Sequence, residues 1–304
     1  MADGTMTLKD AKAARRLKKA ERRAKQRAAN PMRAEKMHSY RLEHPLPRGE
    51  GDLPLVNVGC SGWFYWDWRE KFYPSQLPTS GWFPYYAENF DTVEINASFY
   101  SWPTVAGVKA WLKGVPEVQG PEGRPFVFTV KASELITHVR QFDDCKGLIE
   151  DFGYVADLLG QHMGCLLFQL PPSFHYDPQK LDLILSQLEP GRRNVVEFRH
   201  PSWWNEEVYA AFRDTGTIFC TCSGPKLPDE MVRTADEVYV RFHGTERWYN
   251  HLYPESEMIA WAQRIADCGA KRVWVYFNND YHANAIANAR QLREALIATG
   301  VWGL

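Results

Sequence analysis

From about residue 50 onward, short runs rich in Val, Ile and aromatic residues alternate with longer segments whose apolar positions recur every three and four residues. That alternation is the pattern of strand–helix units arranged around a parallel sheet. Eight strands are predicted, beginning near Leu55, Thr92, Phe126, Cys165, Asn194, Ile218, Val238 and Arg272. Eight is the number that closes an α/β barrel, so a (β/α)8 TIM-type barrel is the expected fold. The segments between the strands suit its outer helices: Met258, Trp261, Ala262 and Ile265 form one apolar face, and Ala285, Ala289, Leu292 and Leu296 form another that ends at Gly300. A doubly wound open sheet is the rival. Its glycine-rich phosphate loop is missing, because Gly59-Cys60-Ser61-Gly62 runs straight into aromatic residues.

Before residue 50 the pattern is different. Residues 8–29 alternate Ala with Lys and Arg, a composition with good helix propensity and almost no apolar stripe. Leu8 and Leu17 are its candidate anchors, so a lone helix here would gain little from burial and would repel itself. The expectation is a disordered or weakly helical basic arm, followed by a linker through Pro31, Pro45, Pro47 and Gly49-Glu50-Gly51. The predicted division is residues 1–50 for arm and linker and 51–304 for the barrel.

Charge sharpens this division. The chain to Arg48 carries 14 Lys and Arg against 5 Asp and Glu, while the remainder carries 22 against 32, so a net charge of −1 conceals a basic arm on an acidic body. Such an arm suits an anionic partner, nucleic acid among them. No stretch approaches the roughly 18 consecutive apolar residues of a membrane helix, which makes the cytoplasm the expected location and a membrane partner unexpected. Six scattered cysteines without a C-x-x-C pair read as reduced thiols. Cys220 and Cys222 lie two apart on a predicted strand and therefore share a face.

The chemistry is signalled at the strand ends, nearly all of which turn polar. Val93-Glu94-Ile95-Asn96, Val130-Lys131, Phe168-Gln169, Val196-Glu197-Phe198-Arg199-His200, Val240-Arg241-Phe242-His243 and Tyr276-Phe277-Asn278-Asn279-Asp280 all show it. Period-two geometry puts the polar residues of each run on one face. If Val93, Ile95, Val196, Phe198, Val240 and Phe242 pack outward, then Glu94, Glu197, Arg199, Arg241 and His243 point into the barrel mouth, where such barrels keep their chemistry. Buried ion pairs closing the barrel would use the same residues, but six polar strand ends in one layer exceed what packing requires.

The candidate catalytic residues are therefore Glu94, Glu197, His243 and Asp280. Two carboxylates from opposite sides of a barrel can divide acid and base roles if their surroundings separate their pKa values. Lys131, His138, Arg199 and Arg241 supply donors for an anion, and Gln169, Asn278 and Asn96 are further polar candidates for substrate contact. A divalent metal held by the carboxylates with His138, His243 and Asp280 stays open, without H-x-E or H-x-x-x-H spacing to support it. Aromatic residues gather after the strands as well: Trp63, Tyr65, Trp66 and Trp68 after the first, Phe99, Tyr100 and Trp102 after the second, Trp203 and Trp204 after the fifth. They are candidate core filler or a stacking platform for sugars or bases, with Trp63, Tyr65 and Tyr100 taken as substrate contacts.

These runs resemble the domain-of-unknown-function 72 family, also called YecE-like. The likeness is carried by Gly59-Cys60-Ser61-Gly62-Trp63 with Phe72-Tyr73-Pro74, Val93-Glu94-Ile95-Asn96 with Phe99-Tyr100, Thr137-His138, Phe168-Gln169-Leu170-Pro171-Pro172-Ser173-Phe174, Val196-Glu197-Phe198-Arg199-His200, Arg241-Phe242-His243-Gly244 and Tyr276-Phe277-Asn278-Asn279-Asp280. They occur in family order across roughly residues 55–296, with Cys60 where many members carry Thr. The resemblance implies a (β/α)8 barrel and no particular reaction, and the basic arm lies outside it. A looser likeness to endonuclease IV-type nucleases suggests phosphodiester substrates, by fold analogy alone. Three functional readings follow: a hydrolase-like enzyme on a phosphate-bearing or nucleic-acid-related substrate with Glu94 or Glu197 as base; a glycosidase-like enzyme using the same carboxylates; and a non-catalytic nucleic-acid binder using the arm.

Overall fold

The structure, a computed structural model, describes residues 8–49, 51, 53–115 and 125–301. In chain order its helices and strands are α1 (Leu8–Glu43), β1 (Val56–Cys60), α2 (Trp82–Asn89), β2 (Thr92–Ile95), α3 (Ala97–Tyr100), α4 (Val105–Lys113), β3 (Val127–Lys131), α5 (Lys146–Leu159), β4 (Met163–Gln169), α6 (Pro178–Gln187), β5 (Asn194–Glu197), α7 (Glu206–Thr215), β6 (Ile218–Ser223), β7 (Glu237–Phe242), α8 (Glu255–Asp267), β8 (Arg272–Phe277) and α9 (Asn284–Ala298). The eight strands pair in sequence order, all parallel, and β8 closes onto β1. Each begins within two residues of its predicted start.

The strand faces divide the interior. Val93, Ile95, Val196, Phe198, Val240 and Phe242 pack outward with the helices in the larger core. Inside the barrel a smaller cluster holds Val127, Cys165, Leu167, Val195, Cys220, Tyr239, Trp274 and Tyr276. Polarity rises along the barrel axis. The Tyr276 hydroxyl bonds Thr92 Oγ1 at 2.7 Å and Thr129 Oγ1 at 2.9 Å, and the Tyr239 hydroxyl donates to Glu94 Oε2 at 2.5 Å. Hydroxyls thus bridge the apolar floor to the charged strand ends and give the buried Thr92, Thr129 and Glu94 side chains partners.

Of the two states expected for the basic arm, disordered or weakly helical, the structure shows the helical one, and it is docked on the barrel. Leu8–Glu43 is one helix of 36 residues. Its contact seam is Arg23, Arg27, Asn30, Ala34, Met37 and Arg41, spaced four and three apart, with Asn30, Ala34 and Met37 buried against the barrel. Asn30 accepts the Trp102 backbone N–H at 2.9 Å and donates to the Tyr100 carbonyl at 3.3 Å. Arg41 Nε donates to Asp151 Oδ1 at 2.9 Å, which His38 Nδ1 also meets at 3.0 Å. A search for an apolar stripe misses this seam because four of its six members are polar, and Leu17, one expected anchor, is exposed. Pro31 lies within the helix rather than in a linker. It removes one backbone hydrogen bond, and the docked residues on both sides hold the helix continuous across it.

Candidate functional site

Glu94 at the end of β2, Glu197 at the end of β5 and Arg241 on β7 meet at the top of the barrel, all fully buried. The Arg241 guanidinium lies between the two carboxylates: Nη2 donates to Glu94 Oε1 at 2.5 Å and Nη1 donates to Glu197 Oε2. Glu94 also accepts Ser61 Oγ at 2.8 Å, and the second oxygen of Glu197 accepts Arg199 Nε. His243 Nε2 lies 3.4 Å from Glu197 Oε1 and 3.1 Å from Arg199 Nη2, and its Nδ1 meets Asn278 Nδ2 at 3.2 Å. Two carboxylates and two guanidiniums make a balanced buried network. Burial alone would raise the Glu197 pKa, but Arg199 and Arg241 hold it well below the usual carboxylate range. Burial, Arg199 and Arg241 together keep His243 well below its usual value, so it is neutral.

Above this network a cavity of about 540 Å³ opens at the C-terminal ends of β3, β4 and β5. Lys131, Gln169 and Arg199 line its floor, Phe99, Tyr100, His138, Trp248 and Tyr249 its walls, and Arg23 and Arg27 of α1 its rim. The wall after β3 is a π-helical turn, Leu135–Val139, whose extra residue per turn brings His138 onto the cavity; such turns recur at functional sites. The His138 ring stands edge-on to Phe99 at 4.8 Å, and its Nδ1 bonds Thr137 Oγ1 at 2.9 Å. Gly244 shapes the opposite wall. With φ of +97° and the Arg247 carbonyl 2.5 Å from where a Cβ would sit, the position admits only glycine, and the turn it makes lays Trp248 across the Arg199 guanidinium at 4.4 Å.

Lys131 is the most perturbed group facing the cavity. Its Nζ donates to Gln169 Oε1 at 2.8 Å and sits 4.2 Å from the centre of the Phe99 ring. Among the described residues it is the one buried lysine. Burial first, then the Arg241 charge, brings its pKa down to about 7. His138 is brought to about 4 by burial and by Lys131. On the rim, Arg27 holds Glu134 in a two-point contact at 3.0 and 2.6 Å, and Arg23 lies 4.5 Å over the Tyr100 ring.

The sequence-predicted residues therefore separate into three places. Lys131, His138, Gln169, Arg199 and Tyr100 line the cavity. Glu94, Glu197, Arg241, His243 and Asn278 lie beneath it, bonded to one another. Neither glutamate lines the cavity, and a single guanidinium fills the space between them. This leaves no room for the sugar ring that a glycosidase places between its carboxylates. Arg241 has both terminal nitrogens committed to glutamates and is unavailable to an anion.

The third group lies to one side, around β1. Tyr65 donates to the Ser61 carbonyl at 2.7 Å, Asn96 Nδ2 donates to the same oxygen at 3.1 Å, and Trp63 packs on Phe83 at 4.8 Å. Asp280, whose pKa burial pushes up to about 8, belongs to this group through Tyr65. The expected aromatic platform divides: Trp68, Trp102 and Trp203 are fully buried in the core, Trp66 is exposed, and Phe99 and Tyr100 line the cavity. Phe99, one of the aromatic residues expected after the second strand, lines the cavity, whereas sequence reasoning missed Trp248, Tyr249, Glu134 and the two α1 arginines as cavity residues. The loop rule applied after strands 1, 2 and 5 would have found Trp248 and Tyr249 had it been extended to strand 7.

A metal centre fits poorly. Glu197, Cys222 and His243 bring one ligand atom each within 4.8 Å of one another. Both Glu197 oxygens already accept arginines, so a cation there would face two guanidiniums at contact range.

Fold and site define a (β/α)8 barrel with a cation-lined, aromatic-walled cavity at the C-terminal ends of its strands. The chain belongs to the family described as Protein of unknown function DUF72, which matches residues 57–301. It is 26% identical over 278 residues to the UPF0759 protein YunF of Bacillus subtilis (strain 168), a match that covers 80% of this chain and 95% of that one. The crystal structure of a DUF72 family protein from Thermotoga maritima MSB8 superposes with a TM-score of 0.71 at 30% identity, covering 80% of this chain and 99% of that chain. A DUF72 family protein from Enterococcus faecalis V583, at 18% identity and a TM-score of 0.67, shares the fold. Helix α1 precedes the matched residues, so Arg23 and Arg27 are additions to the family barrel. No helix among the described residues is long and apolar enough to cross a membrane.

Proposed function

We propose that the chain is an enzyme that binds a phosphate-bearing substrate in the barrel-mouth cavity and exchanges a proton with it at Lys131. The observation that carries this reading is the charge of the lining: Arg199 and Arg23 face one cavity beside Lys131, and among the described residues the one carboxylate lining it, Glu134, is paired with Arg27. Arg199 supplies a planar guanidinium backed by Trp248, suited to two-point contact with phosphate oxygens. Lys131, with a pKa near neutrality, is matched to accept or donate a proton at physiological pH, as Glu197 in its ion pairs is not. Hydrolysis of a phosphoester is the reaction such a base would serve, by activating water beside the held group.

Inorganic phosphate and a panel of nucleotides and sugar phosphates should raise the melting temperature by mass action on the folded state. Arg199→Lys keeps the charge and loses the fork, so the shift should shrink. A panel that moves the wild-type melting temperature nowhere overturns the reading.

A second reading rests on α1. Arg16, Lys18, Lys19, Arg22 and Lys25 are all exposed on the helix leading to the rim. They form a basic track suited to the backbone of a nucleic acid bound without catalysis.

A further inference from the structure

Lys131 is built unlike a residue whose task is to hold an anion. Its Nζ has a neutral amide, Gln169 Oε1, as its hydrogen-bond partner, and among the described residues no carboxylate lies within ion-pair distance of it. The stem is buried, the face of Phe99 covers one side of the amine, and beneath it lies the network in which the guanidiniums of Arg241 and Arg199 oppose the carboxylates of Glu197 and Glu94. With the charges of that network largely offsetting one another, burial beneath Phe99 decides the balance and favours the neutral amine. A neutral amine opening onto a cavity is a nucleophile, and carbonyl groups are what lysine amines attack reversibly in water.

We propose that Lys131 forms an imine with the carbonyl carbon of a phosphate-bearing aldehyde or ketone, the phosphate lying on Arg199 at the cavity floor. This rests on the phosphate-binding half of the reading above and goes beyond its proton-transfer half, with Lys131 as nucleophile. The Nζ lone pair adds to the carbonyl carbon as the C=O π bond opens, and one amine proton passes to that oxygen. The resulting hydroxyl leaves with the second amine proton as water while C=N forms, so amine and carbonyl give imine and water with no oxidant or reductant. His138, held by burial and by Lys131 near pKa 4, is a neutral imidazole on the same cavity and can relay the proton between nitrogen and oxygen. Gln169 orients the lone pair by accepting one N–H.

The test uses the full chain with pyridoxal 5′-phosphate as a phosphorylated aldehyde, reduction with borohydride, and peptide mapping by mass spectrometry. An exposed lysine is almost wholly protonated at pH 7, so Lys131 should take the label about tenfold faster or more than any other lysine. Labelling at Lys131 should fall when the pH is lowered below 7, and inorganic phosphate should compete. Mapping the label on the wild-type chain locates the amine without depending on a variant that has to fold. Label spread over exposed lysines with Lys131 unmodified would overturn the proposal, and phosphate would still raise the melting temperature if the phosphate reading were sound. Equal labelling of Lys131 by pyridoxal, which lacks the phosphate, without competition by inorganic phosphate, would overturn it through the phosphate half.

Discussion

At the scale of single residues, the same polar strand ends carry two different kinds of work. Glu197 accepts Arg199 and Arg241 and is enclosed by them, so its charge holds Arg199 at the edge of the cavity. Glu197→Gln leaves two buried guanidiniums short of a counter-charge, at a cost of about 3 to 5 kcal/mol. The variant should melt well below the wild type; an unchanged melting temperature would mean that the pairs are not what fixes Arg199. Lys131 gives a pH dependence of defined sign. Its pKa is about 7 in the folded chain and near 10.5 in the unfolded one. The unfolded state therefore binds more protons between those values, and stability rises with pH across that window. Lys131→Met should be more stable than the wild type below pH 7. That advantage should shrink by up to about 1.4 kcal/mol per pH unit as the pH climbs toward 10. Denaturant midpoints of both proteins across this range check it, and parallel curves would show that Lys131 keeps an ordinary pKa.

At the scale of elements, the strands were legible in the sequence because each is a β-rich run and six of the eight turn polar at their ends, and the period-two rule assigned Glu94, Glu197 and Arg241 to the inner face. The rule fixes the direction of a side chain and leaves its partner open. It could not tell that Arg241 on β7 would reach both glutamates, since that depends on strand stagger around the closed barrel. Helix α1 was hidden for a different reason: its seam is built from Arg27, Asn30, Ala34 and Arg41, and polar docking leaves no hydrophobic period. Because α1 buries Met37 and satisfies Asp151 and the Trp102 N–H, a chain starting at Arg48 should melt several degrees lower than the full protein. Thermal denaturation of the two chains tests this. Equal melting temperatures would return α1 to the role of a loosely held arm.

At the scale of the whole molecule, the charge asymmetry visible in composition becomes geometry. A barrel with excess acid carries a basic helix on one flank, and two arginines of that helix complete a cavity whose floor already holds Lys131 and Arg199. Composition could report the two charge blocks but not that they share one site, because that requires α1 to fold back over the ends of β2 and β3. The central claim is that this cavity takes a tetrahedral oxyanion. The most direct measurement is an anomalous difference map from a crystal of the full chain soaked in arsenate, a phosphate isostere that its own scattering locates. The account predicts a peak in the cavity within hydrogen-bond reach of Arg199. Arsenate bound elsewhere on the surface, with the cavity at the ends of β3 to β5 holding solvent alone, would contradict it.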